Sequence, residues 1–294
     1  MKASSVLLGL AFAALTGCST PVSAPWKTPD DVKLMRVNDY PMAFAEEGSG
    51  PALVIVHGLL TDYRSMAGQR ALSDAFTVRR VSLRHFYPDK WDGSGTGFSV
   101  RQHARDLAAF LERSSPPVNV VGWSYGGLVA YEVARTRPEL VRRLVLIEAP
   151  TGSLLAPETE AAAAARKKRS TDLAATLRSD LERGVTVAVD AINGAGAWGR
   201  LPPANKEIVR DNAWTIVGAG MDDAPPVSCV EFGALKMPVL LVNGENTSQR
   251  FKDLVAAQAR CLPSARVVTI PNAAHASPSQ NPDAVNQAVR QFLR

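Results

Sequence analysis

The chain has 294 residues and a formal net charge of +5, with 46% hydrophobic and 21% charged residues. This length is sufficient for one large domain or two smaller ones. The composition is that of a globular protein, which excludes a disordered, collagen-like or disulfide-scaffold chain. Basic and acidic residues are interspersed, so the charge does not form the basic surface that nucleic-acid binding requires, and we expect no nucleic-acid partner.

The segment 1–17 has the order of features that is typical of a secretory signal peptide. Lys2 supplies a positive charge, residues 6–15 form an apolar run, and small residues follow. This run is too short to cross a bilayer of about 30 Å as a helix. We therefore expect the segment to direct export of the chain.

Residues 15–18, Leu-Thr-Gly-Cys, resemble the lipobox of bacterial lipoproteins. The resemblance implies that Cys18 is acylated and becomes the first residue of the mature chain; an ordinary signal peptide cleaved elsewhere is the alternative. Ser19 resembles the second mature residue of lipoproteins that are sorted to the outer membrane. We expect a protein anchored to the membrane through lipid on Cys18, facing the periplasm, with residues 18–30 as a polar tether.

An exported chain meets an oxidising compartment, in which cysteines tend to pair. With Cys18 lipidated, Cys229 and Cys261 remain, and an even number favours a disulfide between them. Two buried, unpaired cysteines are the alternative, because sequence spacing does not show whether their Cα atoms lie within about 7 Å.

After the tether, short apolar runs alternate with amphipathic segments. Strands are predicted over residues 34–37, 42–45, 53–56, 77–82, 118–121, 144–147, 239–242 and 267–270, and the first two form a hairpin. Helices are predicted over residues 62–73, 99–113, 125–135, 248–260 and 283–293, the second with a capping-box start at Ser99 and Gln102. Continuous Val, Ile and Leu runs suit parallel strands that are buried on both faces. The pattern predicts an α/β fold with a mainly parallel eight-stranded sheet and helices on both faces.

Residues 151–226 interrupt this alternation. The segment is rich in alanine and has helical patterns, and no strand-like run follows before Val239. A connection of this length is too long for a loop, so we expect a folded helical cap over one end of the sheet. The core then comprises residues 31–150 and 227–294. The basic run at residues 166–169 is interpreted as a solvated helix face, with contact to anionic lipid head groups as the alternative.

The sequence Gly-Trp-Ser-Tyr-Gly at residues 122–126 lies between a predicted strand and a predicted helix. A sharp turn from strand to helix needs glycine on both sides of the serine, and it exposes the Ser124 hydroxyl above the sheet. The pattern by itself is a weak signal, but its position between strand and helix makes it specific. We predict that Ser124 is a nucleophile; an idle serine in a tight turn is the alternative.

A serine hydroxyl needs a base that takes its proton, and the base needs a third group that orients it. The chain has four histidines: His57, His85, His103 and His275. His57 ends a predicted strand, and His85 and His103 lie in and after the loop over residues 84–98. Only His275 has the late position, after the last strand, that the order nucleophile, acid, histidine requires.

His57 and Gly58 suggest a different task for the first of these histidines. Gly58 lets the backbone turn tightly, so that the Leu59 N–H can point at a developing oxyanion beside the Tyr125 N–H. Each preformed amide donor at such a position contributes about 3 kcal/mol in acyl transfer. We predict an oxyanion hole formed by the Leu59 and Tyr125 amides.

These features resemble the α/β-hydrolase superfamily over nearly all of the chain after residue 30. Residues 57–58 resemble its oxyanion motif, residues 122–126 its nucleophile elbow, residues 272–275 its histidine loop and residues 151–226 its cap. The resemblance implies an esterase, lactonase, C–C hydrolase, acyltransferase or cofactor-free perhydrolase, with no cofactor or metal. A serine nucleophile argues against the dehalogenase and epoxide-hydrolase branches, which use a carboxylate.

The acid departs from the pattern of the family. After the strand 239–242 most relatives carry an aspartate three residues past a glycine, but this chain has Thr247 there. Glu148 ends the strand before the cap, in the position of the strand-six acid of haloalkane dehalogenases, and is our first choice to orient His275. Glu245 is the second, and no carboxylate at all is the third.

Two aromatic features remain open. Arg84-His85-Phe86-Tyr87 and Trp91 lie where relatives form part of the pocket wall, and they indicate either a pocket for an acyl or aromatic group or a surface loop that packs on its own rings. Trp123, beside the nucleophile, is expected to pack.

The sequence thus predicts a membrane-anchored, cofactor-free serine hydrolase that cleaves small-molecule carboxylic esters. A lactonase, a thioesterase and a perhydrolase are alternatives on the same scaffold. From a different class, a non-catalytic binding protein with this fold is the alternative, which the missing aspartate makes more plausible.

Overall fold

A single sheet of eight strands forms the centre of the computed structural model, which describes residues 22–294. The predicted signal peptide and Cys18 lie outside the described residues. The strands are β1 (Lys33–Val37), β2 (Tyr40–Glu47), β3 (Ala52–Val56), β4 (Thr77–Val81), β5 (Val118–Trp123), β6 (Val141–Ile147), β7 (Val239–Gly244) and β8 (Arg266–Ile270). Their order across the sheet is β1-β2-β4-β3-β5-β6-β7-β8.

The strands from β3 to β8 run parallel, and only β2 pairs in the antiparallel sense, with β1 and β4. Parallel strands of this kind are covered on both faces, which explains the unbroken apolar runs in the sequence. In β3, Leu53 and Ile55 pack on one face, and Val54 and Val56 pack on the other. The predicted α/β fold with its eight-stranded, mainly parallel sheet is confirmed.

Eleven α-helices occur in residues 22–294. They are α1 (Val100–Glu112), α2 (Tyr125–Thr136), α3 (Glu160–Ser179), α4 (Leu181–Asn193), α5 (Ala197–Arg200), α6 (Pro203–Asp211), α7 (Thr215–Met221), α8 (Cys229–Gly233), α9 (Gln249–Cys261), α10 (Ser277–Gln280) and α11 (Pro282–Leu293). Residues of α1, α2, α8 and α9 contribute to the hydrophobic cluster on one face of the sheet, and residues of α11 to the cluster on the other.

Two local predictions were wrong in detail. The segment predicted as a helix over residues 62–73 is a 3₁₀ segment, Tyr63–Asp74, with a kink at Met66, where ψ is 20°. At the start of α1, the Ser99 hydroxyl accepts the Gln102 N–H at 3.1 Å as a cap. The Gln102 side chain makes other contacts: its Nε2 donates to Asp106 at 2.9 Å, and its Oε1, which would accept the Ser99 N–H in a capping box, accepts an N–H of Arg105.

Between β6 and β7 the chain forms the helices α3–α7. They enclose a hydrophobic cluster of their own, in which Leu177, Val185 and Trp198 are buried. The helices α4 and α6 are amphipathic, with exposed polar faces, whereas the long α3 buries only Ser170, Ala174 and Leu177. We call α3–α7 the cap helices.

Three residues of the basic run 166–169 form ion pairs with carboxylates of the protein. Arg166 pairs with Glu158 at 2.9 Å and donates to the carbonyl oxygens of Gly220 and Asp222 at 2.6 and 2.9 Å. Lys167 and Lys168 pair with Asp223 and Asp172, both at 2.7 Å. Arg166 therefore joins α3 to the end of α7.

A disulfide joins Cys229 in α8 to Cys261 at the end of α9, with a Cα–Cα distance of 5.0 Å. The structure thus contains the bridge that the sequence favoured, and the two cysteines are not buried and unpaired. It closes a loop of 32 residues, which in the chain-entropy treatment stabilises the folded state by roughly 4 kcal/mol.

Candidate active site

Three side chains from the carboxyl ends of strands meet above the sheet. Ser124 follows β5, Glu148 follows β6, and His275 lies in the loop after β8. The Ser124 Oγ atom lies 3.0 Å from His275 Nε2, and Glu148 Oε2 lies 2.6 Å from His275 Nδ1. The structure therefore brings together the serine, the histidine and the first-choice acid of the sequence prediction.

The sharp turn between β5 and α2 exposes Ser124. Its backbone has φ 51° and ψ −122°, a conformation that side chains rarely adopt and that occurs preferentially at functional sites. The turn depends on its glycines: a Cβ atom on Gly126 would lie 2.3 Å from the His57 carbonyl oxygen, and one on Gly122 would lie 2.5 Å from the Gly126 carbonyl oxygen. The Ser124 N–H donates to the Ile147 carbonyl at 2.8 Å, which fixes the turn on β6.

The Glu148 carboxylate is fully buried and has a partner for each oxygen. Oε1 accepts the Gly244 N–H at 2.8 Å, and Oε2 accepts the Thr247 hydroxyl at 2.9 Å in addition to His275. Since a carboxylate only accepts, His275 carries its proton on Nδ1 and leaves the Nε2 lone pair for Ser124. Glu148 also has a positive φ, 45°, as Ser124 does.

Thr247 is a member of the site that the sequence prediction missed as such. It stands where most relatives carry aspartate. An aspartate there would accept a hydrogen bond from the imidazole, whereas the Thr247 hydroxyl donates to the Glu148 carboxylate. The signal in the sequence was the replacement of this aspartate by threonine. A second carboxylate there would repel Glu148, whereas a hydroxyl can donate a hydrogen bond to it.

Glu245, the second-choice acid, has a different position. Its carboxylate accepts the backbone N–H of Asn272 at 2.9 Å. Asn272 lies in the loop that carries His275 and has φ 54°. Among the described residues, the carboxylate that is hydrogen-bonded to His275 is Glu148, and Glu245 supports the backbone of the histidine loop.

The loop after β3 lies against the nucleophile. A Cβ atom on Gly58 would lie 3.2 Å from Ser124 Cβ and 3.3 Å from the Trp123 ring, so a side chain there would require these neighbours to shift by a few tenths of an ångström. Tyr125 is the first residue of α2, where N–H groups have no carbonyl partner in their own helix. The predicted oxyanion donors, Leu59 and Tyr125, thus follow directly on two residues that pack on each other, Gly58 and Ser124.

His57 holds this loop on the core. Its Nδ1 lies 2.8 Å from the Gly58 carbonyl oxygen, and its Nε2 accepts the Leu83 N–H at 3.1 Å. Burial lowers the pKa of His57 to about 4, although the Gly58 carbonyl and Asp62 oppose the shift. The ring is therefore neutral at pH 7, and it fits the role of a hydrogen-bonded link rather than a base.

His275 is enclosed by two aromatic side chains. The Phe251 ring stacks on the imidazole with a centroid distance of 3.9 Å and an interplanar angle of 13°. The Trp123 Nε1–H donates to the His275 carbonyl oxygen at 2.8 Å, so Trp123 packs, as expected, and also holds the histidine loop. No pattern in the sequence indicated Phe251, because its contact with His275 depends on how α9 lies on the sheet.

The aromatic residues after β4 form a packed loop. His85 stacks on Trp91 at 4.7 Å, and Trp91 stacks on Phe98 at 5.1 Å. Phe86 is fully buried against His57. Of the two interpretations that the sequence left open, the loop that packs on its own rings describes these contacts.

His103 lies beneath the nucleophile turn. Its Nδ1 lies 2.8 Å from the Tyr125 hydroxyl and its Nε2 lies 3.1 Å from the Arg84 carbonyl oxygen. Burial lowers the pKa of His103 to about 3 and raises that of Tyr125 well above its usual value. Both groups are therefore neutral at pH 7, and the Tyr125 hydroxyl donates to His103.

Residues 22–294 contain no group of three or more His, Cys, Asp and Glu side chains that could hold a metal ion. In the same residues, no helix is long and apolar enough to cross a membrane.

Residues 53–288 match the alpha/beta hydrolase family, which is most of the chain. The chain therefore belongs to the alpha/beta hydrolase family. An uncharacterized protein of Mycobacterium tuberculosis is 36% identical over 126 residues, which are 41% of this chain. The chain spans only about a third of the length of that relative, 36%.

Two solved structures have the same fold. A thermophilic esterase from Thermogutta terrifontis has a TM-score of 0.71 and 24% identity, covering 86% of this chain and 93% of its own. The enol-lactonase from Burkholderia xenovorans has a TM-score of 0.70 and 21% identity, covering 88% of this chain and 99% of its own. At these identities the likeness extends to the fold and not to the substrate.

Proposed function

We propose that this protein is a serine hydrolase that cleaves carboxylic esters of small molecules through an acyl-enzyme intermediate. The observation that carries the proposal is the chain of hydrogen bonds from Ser124 through His275 to the buried Glu148, at 3.0 and 2.6 Å. Nucleophile, base and orienting acid within hydrogen-bond reach are the arrangement that acyl transfer requires. A non-catalytic binding protein would not need this alignment.

In the first half of the reaction, Ser124 Oγ attacks the carbonyl carbon of the ester as His275 Nε2 takes the hydroxyl proton. The carbonyl oxygen becomes an oxyanion, which accepts the Leu59 and Tyr125 N–H groups. When the tetrahedral intermediate collapses, the C–O bond to the alcohol breaks and the leaving oxygen takes the proton from His275. The acyl group then remains on Ser124.

In the second half, a water molecule gives a proton to His275 and attacks the acyl carbon. The second tetrahedral intermediate collapses, Ser124 leaves with the proton from His275, and the carboxylic acid is released. Glu148 holds the ring orientation in both halves and stabilises the imidazolium that forms twice. The proton on Nδ1 stays with the imidazole, and Glu148 only accepts its hydrogen bond.

A fluorophosphonate probe tests the proposal directly, because it reacts with activated serines. We expect the probe to label the wild type at Ser124, and we expect Ser124→Ala to lose both labelling and ester turnover. Ser179→Ala, at an exposed serine at the end of α3, is the matched control and should behave as the wild type. A folded wild-type protein that is not labelled would overturn the hydrolase proposal.

The kind of ester is tested with a graded panel. Aryl and alkyl esters of increasing acyl length, lactones, thioesters and a perhydrolysis assay with peroxide compare the alternatives that share this scaffold. We expect the largest kcat/KM for a carboxylic ester. A larger value for a lactone, a thioester or peracid formation would reassign the reaction while leaving the acyl-enzyme mechanism intact.

We further propose that Cys18 anchors the protein to the bacterial membrane, with the hydrolase on the periplasmic side. The support is the lipobox-like sequence Leu-Thr-Gly-Cys at residues 15–18. Each CH₂ of an acyl chain adds roughly 0.8 kcal/mol of membrane affinity. Radiolabelled palmitate should enter the wild type in a bacterial host and should not enter Cys18→Ser; an unlabelled wild type would contradict the anchor.

A further inference from the structure

The Leu60 side chain packs among the cap helices and not on the sheet. It follows the predicted oxyanion donor Leu59 by one residue, yet its side chain is 4% exposed and belongs to the hydrophobic cluster of the cap. Every other member of that cluster lies between Leu173 and Val217. The loop after β3 therefore contributes one residue to the interior of the cap.

The backbone of Leu60 is also held by the cap. The Leu60 N–H donates to the Thr215 hydroxyl oxygen at 3.2 Å, and the Thr215 hydroxyl donates to the Asn212 carbonyl at 2.7 Å. This second bond orients the hydroxyl so that a lone pair faces the Leu60 amide. Leu60 has φ 60°, a conformation that a leucine keeps only where its surroundings impose it.

Asp62, two residues after Leu60, makes a third contact with the cap. The Asp62 carboxylate is fully buried and accepts the Asn212 side-chain N–H at 2.7 Å. The Asn212 side-chain oxygen accepts the Tyr87 N–H at 2.9 Å. Asn212, which lies between α6 and α7 of the cap, thus links the loop after β3 to the loop after β4.

On the other side of Leu59 the restraints come from the core. His57 is bonded to the Leu83 N–H, and Gly58 packs on Ser124. The Leu59 peptide consequently lies between a residue that the core holds, Gly58, and a residue that the cap holds, Leu60. The direction of its N–H depends on both attachments.

We infer that the cap sets the position of the Leu59 oxyanion donor, with Leu60 and Thr215 as the positioning pair. This inference rests on the proposed function, since it assigns a cause to the geometry of the proposed oxyanion hole. The cap helices then contribute to the chemistry through the Leu59 N–H. Their attachment to Leu60 adjusts the stabilisation of the tetrahedral intermediate, independently of the acyl group bound.

The central test is Thr215→Val, which keeps the shape of the side chain and removes the hydroxyl. Loss of one oxyanion donor costs about 10² to 10³ in kcat, and a donor that is only displaced should cost part of that, about tenfold. We expect this loss in kcat with little change in KM, and of equal size for esters of every acyl length. Thr215→Ser should restore kcat.

Thr186→Val is the matched control. It is the same substitution in the same cap, at a half-buried threonine whose hydroxyl donates to the Glu182 carbonyl of its own helix. Leu60→Ala is a second variant that loosens the same attachment from the side of the loop, and it should lower kcat in the same way. It keeps the test decisive if Thr215→Val does not fold.

Hydrogen exchange supplies a readout that does not depend on catalysis. The Leu60 amide should exchange about tenfold or more faster in Thr215→Val than in the wild type or Thr186→Val, because its acceptor is gone. Unchanged exchange together with unchanged kcat would overturn the inference. So would a rise in KM with unchanged kcat, or a loss that varies with acyl length, since these would make Thr215 a substrate contact. A wild type without ester turnover would overturn the proposed function, while exchange at Leu60 would still decide whether the cap holds the loop.

Discussion

The core and the cap differ in where the backbone is strained. In the core, Ser124, Glu148 and Asn272 have φ values of 51°, 45° and 54°, although none of them is glycine. In the cap helices and their connections, positive φ values within the described residues occur only at glycines, Gly194 and Gly196. Strain of this kind costs of order 1–3 kcal/mol per residue and persists only where the surroundings enforce it.

The core and the cap therefore have separate tasks. The core holds the nucleophile, the acid and the histidine loop in costly conformations by close packing and by buried hydrogen bonds. The cap consists of unstrained amphipathic helices joined by ion pairs on their exposed faces. We therefore expect changes in the core to affect the chemistry and changes in the cap to affect stability or rate more gently.

The largest effect is expected in the core, from Glu148→Gln. The amide keeps the size and reach of the side chain but removes the charge that stabilises the imidazolium, a defect that costs about 10⁴ in turnover in serine proteases. We expect a fall in kcat of comparable scale with little change in thermal stability, measured by steady-state kinetics and calorimetry.

Glu245→Gln is the control for this prediction. Its amide oxygen can still accept the Asn272 N–H, so we expect kcat to remain within about threefold of the wild type. An inactive Glu245→Gln together with an active Glu148→Gln would mean that Glu245, directly after β7, is the acid. Activity in both variants would reduce the site to a dyad of Ser124 and His275.

A smaller effect, on stability alone, is expected within the core, at the disulfide between α8 and α9. The pair Cys229→Ser and Cys261→Ser removes the bridge between α8 and α9 and should lower the free energy of unfolding by roughly 4 kcal/mol. Urea denaturation measures it, with the reduced wild type as the comparison. We expect kcat to change little; a large loss of kcat would show that the bridge supports the chemistry as well.

Thr247→Val should have a smaller effect than the loss of the disulfide, and we expect this effect in kcat. It removes one of the two donors that hold the Glu148 carboxylate besides His275, while keeping the side-chain shape. A hydrogen bond to a charged group contributes about 1.5–3 kcal/mol, part of which we expect to see as a roughly tenfold lower kcat. Thr247→Ser keeps the hydroxyl and should remain close to the wild type. Equal kinetics for the valine and serine variants would exclude a role for this donor.

The smallest effect is expected from an ion pair within the cap. Arg166→Met keeps the apolar stem and loses the contacts with Glu158 and with two backbone carbonyls, so we expect a loss of about 1 kcal/mol in stability. Lys168→Met, which breaks only an exposed pair with Asp172, should cost under about 0.5 kcal/mol. Thermal unfolding compares the two, and equal losses would mean that the carbonyl contacts of Arg166 add nothing.

Elements whose cause is local could be predicted from the amino-acid sequence. Apolar runs between helical segments predicted the buried parallel strands, and the glycines around Ser124 predicted the turn, because both depend on neighbours within a few residues. The positions of Ser124 and His275 at strand ends followed from the same reading. The choice of Glu148 came from a resemblance, and Thr247 made that choice necessary.

Contacts between residues far apart in the sequence could not be predicted in this way. The Thr247 hydroxyl on Glu148, the Phe251 ring on His275 and the attachment of Leu60 to Thr215 join residues that no periodicity relates; the last pair is 155 residues apart. Glu245 shows the same limit, because its place on the Asn272 N–H depends on how two loops meet. Side-chain type and spacing encode local conformation, whereas these partners are selected by the packing of whole helices and loops, which a short stretch of sequence does not contain.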